Sequence, residues 1–132
     1  MPATLDHATI FASDLAASLA FYDAALGALG LVRAAEFGDE EEEDADVEAA
    51  GWGLTDGGVM LWVVSGAAAT SRVHVAFRAA SRGDVEAFFA AAVGAGGVPH
   101  DAPRRWAIFR RGEFNAVVAD PDGNLIEAVA GE

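Results

Sequence analysis

Cysteine is absent from the 132-residue chain, which rules out disulfides, thiolate metal sites and cysteine nucleophiles but does not fix the compartment. No apolar run approaches the roughly eighteen residues of a membrane span, and no basic-then-apolar leader opens the chain. The expectation is a soluble, cytoplasmic protein. Basic residues are scarce, 8 against 21 acidic, and the net charge of −13 argues against nucleic acid or an anionic membrane as partner, since both would repel it. Also missing are a glycine-rich phosphate loop, a serine nucleophile elbow and a dinucleotide fingerprint.

What is present suits one domain, 1–132, able to bury roughly two thirds of its unfolded surface. Much of the acidity is local, in Asp39-Glu40-Glu41-Glu42-Glu43-Asp44 with Asp46 and Glu48, a self-repelling run expected to form a solvated loop. It lacks the fixed turn residues of a calcium loop.

Alternation predicts a first strand over Leu5 to Ala12, with His7, Thr9 and Phe11 sharing a face. Ser13 is placed to cap a helix carrying Leu15, Leu19, Tyr22 and Leu26 at helical spacing, closed by Gly27 and Gly30. Strands are expected over Leu31 to Phe37, Ala50 to Leu54 and Val59 to Val64. The plan then restarts. His7 and His74, Phe21 and Phe88, Tyr22 and Phe89, Gly27 and Gly94, and Gly30 and Gly97 are each 67 residues apart, an internal repeat dividing the chain into modules 1–66 and 70–132. In the second, Ser81 takes the cap position, and strands are expected around Trp106 to Phe109, Phe114 to Ala119 and Asn124 to Ala130.

Each half thus reads strand, helix, three strands. One helix cannot cover both faces of such a sheet, so the halves are expected to join into one sheet, helices outside and a concave face within. Val75 and Phe77 form the helix-facing set of their strand, which leaves His74, Ala76 and Arg78 on the concave side with His7, Thr9 and Phe11. Asp120-Pro121-Asp122-Gly123 predicts a tight turn, with Pro121 pre-setting φ, Asp122 bonding its own backbone and Gly123 at positive φ. In the strand that follows, Leu125, Glu127 and Val129 share a face. Glu127 has two readings: an edge glutamate in water, or a carboxylate met by a cation or donor inside. Counting back 67 residues gives Met60 as its repeat mate, or Leu61 if the turns are aligned instead.

Leu5-Asp6-His7, Ser13-Asp14, Phe21-Tyr22, Leu26-Gly27, His74-Val75-Ala76-Phe77 and Asp120-Pro121-Asp122-Gly123-Asn124 with Ile126-Glu127 resemble, in that order and across the whole chain, the vicinal-oxygen-chelate superfamily. That superfamily includes glyoxalase I, bleomycin-resistance proteins, fosfomycin-resistance enzymes and extradiol dioxygenases. The resemblance implies an α+β fold of two tandem βαβββ modules forming a curved mixed sheet around a cavity. It also implies His7, His74 and Glu127 as ligands of a divalent ion (Zn, Ni, Mn or Fe), with Glu127 as the catalytic carboxylate, and a homodimer, which exposed sheet edges would favour too. Two imidazoles and a carboxylate leave coordination positions open for neighbouring oxygens of a substrate.

The departures narrow the chemistry. A fourth, glutamate ligand of the glyoxalase type falls on Met60 or Leu61 and is missing. The tyrosine and histidine of the extradiol type are missing too, Val117 standing at one position and Ile108 to Arg110 lacking a histidine. A metal-dependent lyase or isomerase of the glyoxalase type is therefore the first expectation. A metal-free binding protein that sequesters an aromatic or cationic small molecule is the second, and an extradiol-type dioxygenase the third. Thr9, Phe11, Met60, Trp62, Ala76, Arg78 and Leu125 are the expected cavity lining. Arg78, about 13 Å along its strand from His74, is either an anchor for a substrate anion or a strand-end arginine in water. Arg104, Arg105, Arg110 and Arg111 form either an anion-binding rim or an offset to local acidity. Glu113, Asn115 and His100 are read as surface residues, and Trp52 and Trp106 as core or dimer contacts.

Overall fold

The computed structural model describes residues 1–38, 47–66, 68–106 and 112–131. The acidic run from Asp39 to Asp46 and the segment 107–111, with Ile108, Phe109, Arg110 and Arg111, lie outside the described residues. The repeat folds as two βαβββ modules. The first comprises β1 (Ala8–Ala12), α1 (Leu15–Gly27), β2 (Val32–Gly38), β3 (Val47–Gly53) and β4 (Val59–Ser65). The second comprises β5 (His74–Arg78), α2 (Arg82–Gly94), β6 (Val98–Arg105), β7 (Phe114–Ala119) and β8 (Leu125–Ala130).

Both helices start at side-chain caps. The Ser81 hydroxyl accepts from the Asp84 N–H at 3.1 Å, as expected for α2. For α1 the cap is Asp14, accepting from the Ala17 N–H at 3.2 Å, rather than Ser13. Ser13 is engaged elsewhere: its hydroxyl donates to Asp122 Oδ1 at 2.5 Å.

The strands order as β1-β4-β3-β2 and β5-β8-β7-β6, parallel at β1/β4 and β5/β8 and antiparallel elsewhere. The single continuous sheet expected from the sequence is thus two hydrogen-bonded sheets of four. Part of the reason lies in the linker. The Phe11 N–H donates to Thr70 Oγ1 at 2.9 Å and the Phe11 carbonyl accepts from the Thr70 N–H at 2.8 Å, so the linker takes polar groups of β1 that β5 would have needed.

Side chains join the modules instead. α1 packs against α2, and one apolar core runs through both halves, with Phe21, Tyr22, Leu26, Trp52, Phe88 and Ile126 fully buried. Gly97 permits the closest approach, because a Cβ there would sit 2.6 Å from Phe21 Cε2 and 2.5 Å from Val118 Cγ1. Phe77 is buried and Val75 packs against the core, whereas His74, Ala76 and Arg78 are exposed, which is the alternation read for β5.

β6 is a strand that sequence periodicity did not anticipate. It spans Val98–Arg105, through a polar stretch with Pro99 and Pro103, and of the strand expected around Trp106 to Phe109 only Trp106 lies within the described residues. It lies at the sheet edge, where only one side needs partners, and its register slips between Pro99 and Asp101 and again between Asp101 and Arg104, absorbing the prolines. At the last hairpin Gly123 has φ +87°, as the turn demands. The backbone-binding carboxylate there is Asp120 rather than Asp122: Asp120 Oδ1 accepts from the N–H groups of Asp122 at 2.9 Å and Asn124 at 2.8 Å.

Candidate metal site

β8 carries Glu127 in the middle of its sheet, flanked by β5 and β7. The sheet covers it, and only 1% of the residue is exposed, so Glu127 is no edge residue in water. On one side Ala76 stands opposite Glu127 in the parallel pairing, which places His74 one step back on the same face. His74 Nε2 lies 2.7 Å from Glu127 Oε1. The imidazole is half exposed, so the pair joins a buried acceptor to a group that opens on solvent.

On the other side Val117 stands opposite Glu127, and Asn115 shares that face. Asn115 Nδ2 donates to Glu127 Oε2 at 3.0 Å, and Trp106 Nε1–H donates to Asn115 Oδ1. The Arg104 guanidinium lies over the Trp106 ring, 3.7 Å from its centroid. Asn115 is 2% exposed, against the expectation of a surface residue, because both faces of β7 are covered. The signal that could have found it is the one that found Glu127, a polar residue inside an apolar strand. Glu113 is only partly buried and lies 3.7 Å from Arg78, whose side chain is 67% exposed; His100 is exposed, as expected.

His7 stands just before β1 on module one, where its Nδ1 lies 2.7 Å from Asp6 Oδ1. It lines an open depression of about 470 Å³ with Leu54, Met60 and Trp62. A narrower cavity of about 240 Å³ between the modules is lined by Ala8, Leu31 and Met60 on one side and Val75, Ala76 and Arg78 on the other. Thr9, Phe11 and Leu125 line neither. Thr9 and Phe11 are exposed, and Leu125 is half-buried. Among the described residues no three histidine, aspartate or glutamate side chains gather as a ligand cluster. The expected trio therefore divides within one chain into a preformed pair, His74 and Glu127, and a separate His7.

Strand pairing also corrects the repeat mate of Glu127. Thr9 faces Trp62 in module one, and its repeat mate Ala76 faces Glu127 in module two, so Trp62 takes that place rather than Met60 or Leu61. Trp62 stacks on Phe37, ring centroids 5.4 Å apart and planes 18° from parallel. Trp52 is core, and Trp106 serves the polar chain behind Glu127.

Two βαβββ modules with a histidine and a buried glutamate on adjoining strands of the second bear comparison with known proteins. The sequence matches the model of the Glyoxalase/Bleomycin resistance protein/Dioxygenase superfamily over residues 4–128. The chain belongs to this superfamily. Its fold matches a glyoxalase/bleomycin resistance protein from Albidiferax ferrireducens T118 at 25% identity, covering 96% of this chain and 98% of that one with a TM-score of 0.75. A glyoxalase-related enzyme from Fulvimarina pelagi shares the fold at 22% identity, covering 97% and 88%, with a TM-score of 0.67. Glyoxalase I from Zea mays does so at 17% identity and a TM-score of 0.66; 95% of this chain matches 43% of that longer superfamily protein. A comparison with the curated proteins finds no match.

An imidazole nitrogen and a carboxylate oxygen suit Zn, Ni, Mn and Fe alike, but two donors are fewer than the three or four that such an ion takes from a protein. Here His74 Nε2 and Glu127 Oε1 are hydrogen-bonded to each other at 2.7 Å, and no third ligand stands beside them among the described residues.

Proposed function

We propose that the protein is a metal-dependent enzyme of the glyoxalase type, a lyase or isomerase acting on a small molecule with two neighbouring oxygens. The observation that carries this reading is the buried Glu127 carboxylate beside the half-exposed His74 imidazole, 2.7 Å apart. Asn115 meets the carboxylate from within, and the solvent side of the pair, at His74, is where an ion would enter. His74 and Glu127 would hold the ion, and Glu127 is also the carboxylate nearest the reacting atoms. The bound ion supplies Lewis acidity, drawing developing negative charge onto substrate oxygens.

His7 completes the set from a second copy of the chain. In one chain it stands on the other module, at the end of a wall where Phe11, Phe37, Leu54 and Met60 remain exposed. An apolar wall of that kind marks an interface or a ligand site. In a homodimer that wall of one protomer would face His74 and Glu127 of its partner, with the substrate between them.

The wall itself favours a second reading. Stacked Phe37 and Trp62 with Met60 and Phe11 could hold a planar aromatic compound without metal, as a sequestering protein would. Melting curves of chelator-treated protein with Zn2+, Ni2+, Mn2+ and Fe2+ decide between the two. An ion at a hundredfold excess over Kd should stabilise the fold by about 2.7 kcal/mol, a rise of several degrees. Glu127→Gln, which keeps an acceptor for Asn115 but removes the charge, should abolish the rise. No shift with any of the four ions would discard the enzyme reading in favour of sequestration.

A further inference from the structure

Two aspartates of the chain are followed by glycine, in Asp56-Gly57 and Asp122-Gly123, and the fold treats them oppositely. At such a pair a backbone nitrogen reaches the preceding side-chain carboxyl with least obstruction, because glycine has no side chain to block the approach or restrict φ. The reaction needs a carboxyl that can swing towards the following nitrogen, and a nitrogen not firmly hydrogen-bonded elsewhere. Asp122-Gly123 meets neither condition. Asp122 Oδ1 accepts from the Ser13 hydroxyl at 2.5 Å and Oδ2 from the Ser13 N–H at 3.2 Å, so both oxygens are tied to the other module. The Gly123 N–H donates to the carbonyl of the buried Asp120 at 3.0 Å.

Asp56-Gly57 meets both. It lies in the turn between β3 and β4, where residues 54–58 are all exposed. Asp56 has no hydrogen-bond or ion-pair partner among the described residues, and the Gly57 N–H makes one long bond, 3.3 Å, to the Leu54 carbonyl. We propose that Asp56 is a site of spontaneous isoaspartate formation, and that Ser13 shields Asp122 from the same reaction. The Gly57 nitrogen attacks Cγ of the Asp56 carboxylic acid; the N–Cγ bond forms, and the carboxyl hydroxyl leaves with the amide proton as water. One water then opens the five-membered imide. Opening at Cγ restores aspartate, and opening at the backbone carbonyl carbon leaves the chain running through Cβ and Cγ. One water is lost and one gained, so no oxidant or reductant is needed. The longer backbone enters a turn without slack, since a Cβ on Gly53 would already lie 2.2 Å from the Gly58 carbonyl oxygen. Leu54, Gly58 and Val59 line the depression beside His7, Met60 and Trp62, so that wall changes shape as the molecule ages, whatever it binds.

The test is incubation of the folded, full-length protein in warm neutral buffer made with heavy-oxygen water, because ring opening writes one solvent oxygen into the product in either direction. Trypsin, used afterwards in ordinary water, cuts after arginine and yields peptides 34–72 and 112–132, each holding one of the two pairs. Peptide 34–72 should gain label with time, and part of it should shift to a second chromatographic peak of equal mass that has lost its Asp-N endoprotease cut at position 56. Peptide 112–132 should gain none. In urea both peptides should gain label, which assigns the difference to the fold. Asp56→Glu, which would have to close a six-membered ring, should lose the label from 34–72. Ser13→Ala, which cuts one of the two ties on Asp122, should admit label to 112–132 of the folded protein. No label in 34–72 of folded wild type, equal label in both peptides, or label in 34–72 that survives Asp56→Glu would overturn the proposal. A folded Ser13→Ala protein with 112–132 still unlabelled would overturn the part given to Ser13.

Discussion

The Tyr22 hydroxyl, on α1 of the first module, donates at 2.6 Å to Asp120 Oδ2 at the last hairpin of the second. Both residues are buried, and Asn124 Nδ2 donates to the same oxygen at 3.0 Å. Burial first, then the charge of Asp120 and the bond to it, push the Tyr22 hydroxyl far above its ordinary pKa. In the unfolded chain it ionises near pH 10, whereas in the folded chain it stays protonated. The bond's contribution is therefore fully present below about pH 10 and declines as pH rises further, because the unfolded state alone gives up the proton. Tyr22→Phe should cost about 2 kcal/mol at neutral pH and flatten this alkaline decline. Urea titrations at several pH values would show it. Tyr22 is the sole tyrosine, so absorbance at 295 nm should report its ionisation together with unfolding.

Gly97→Ala tests the joint between the modules. The new Cβ would meet Phe21 and Val118 side chains and, at 2.8 Å, the Ala92 carbonyl, which belongs to α2 and cannot swing away. A loss of about 1–3 kcal/mol is expected from overpacking. A melting temperature equal to wild type would mean that the two modules are free to separate slightly.

Mixing variants tests whether the site is shared between chains. His7→Ala and Glu127→Gln proteins should each fail to bind Zn2+. Refolded together in equal amounts, they should regain about a quarter of wild-type sites, since half the dimers are mixed and each has one intact set. A mixture as inert as its parents would place all three ligands in one chain, and a His7→Ala protein that still binds Zn2+ would exclude His7.

Arg78→Met tests the anion anchor. Arg78 is largely exposed, and Glu113 at 3.7 Å holds it weakly, so stability should change by no more than about 0.5 kcal/mol. Metal content should stay normal while KM for an anionic substrate rises. An unchanged KM would leave Arg78 a surface residue.

The sequence disclosed most of this architecture because its repeat is written in residues with few alternatives: paired histidines, aromatic helix stripes and glycine stops at one spacing. Glu127 was visible as a charge in an apolar strand. Less legible were features decided by pairing across the sheet. The mate of Glu127 is Trp62 because the strands align by hydrogen bonds, not by counting residues. β6 hid because an edge strand tolerates prolines and polar side chains that a central strand would reject. The separation of the sheets goes with Thr70 bonding Phe11, a linker contact with no periodic signature.

That linker is joined to the site itself. Asn124 Nδ2 donates to the Thr70 carbonyl at 2.8 Å, Asn124 Oδ1 accepts from the Val73 N–H at 3.2 Å, and β8 begins at the next residue, Leu125. Residues 70–73 are therefore tied to the start of β8. Chain added before Thr70 leaves these bonds intact, whereas chain added between Thr70 and Val73 strains a segment held to Asn124 at both ends. Spacer length, usually the freest variable in a duplicated protein, is here tied to the strand that carries Glu127.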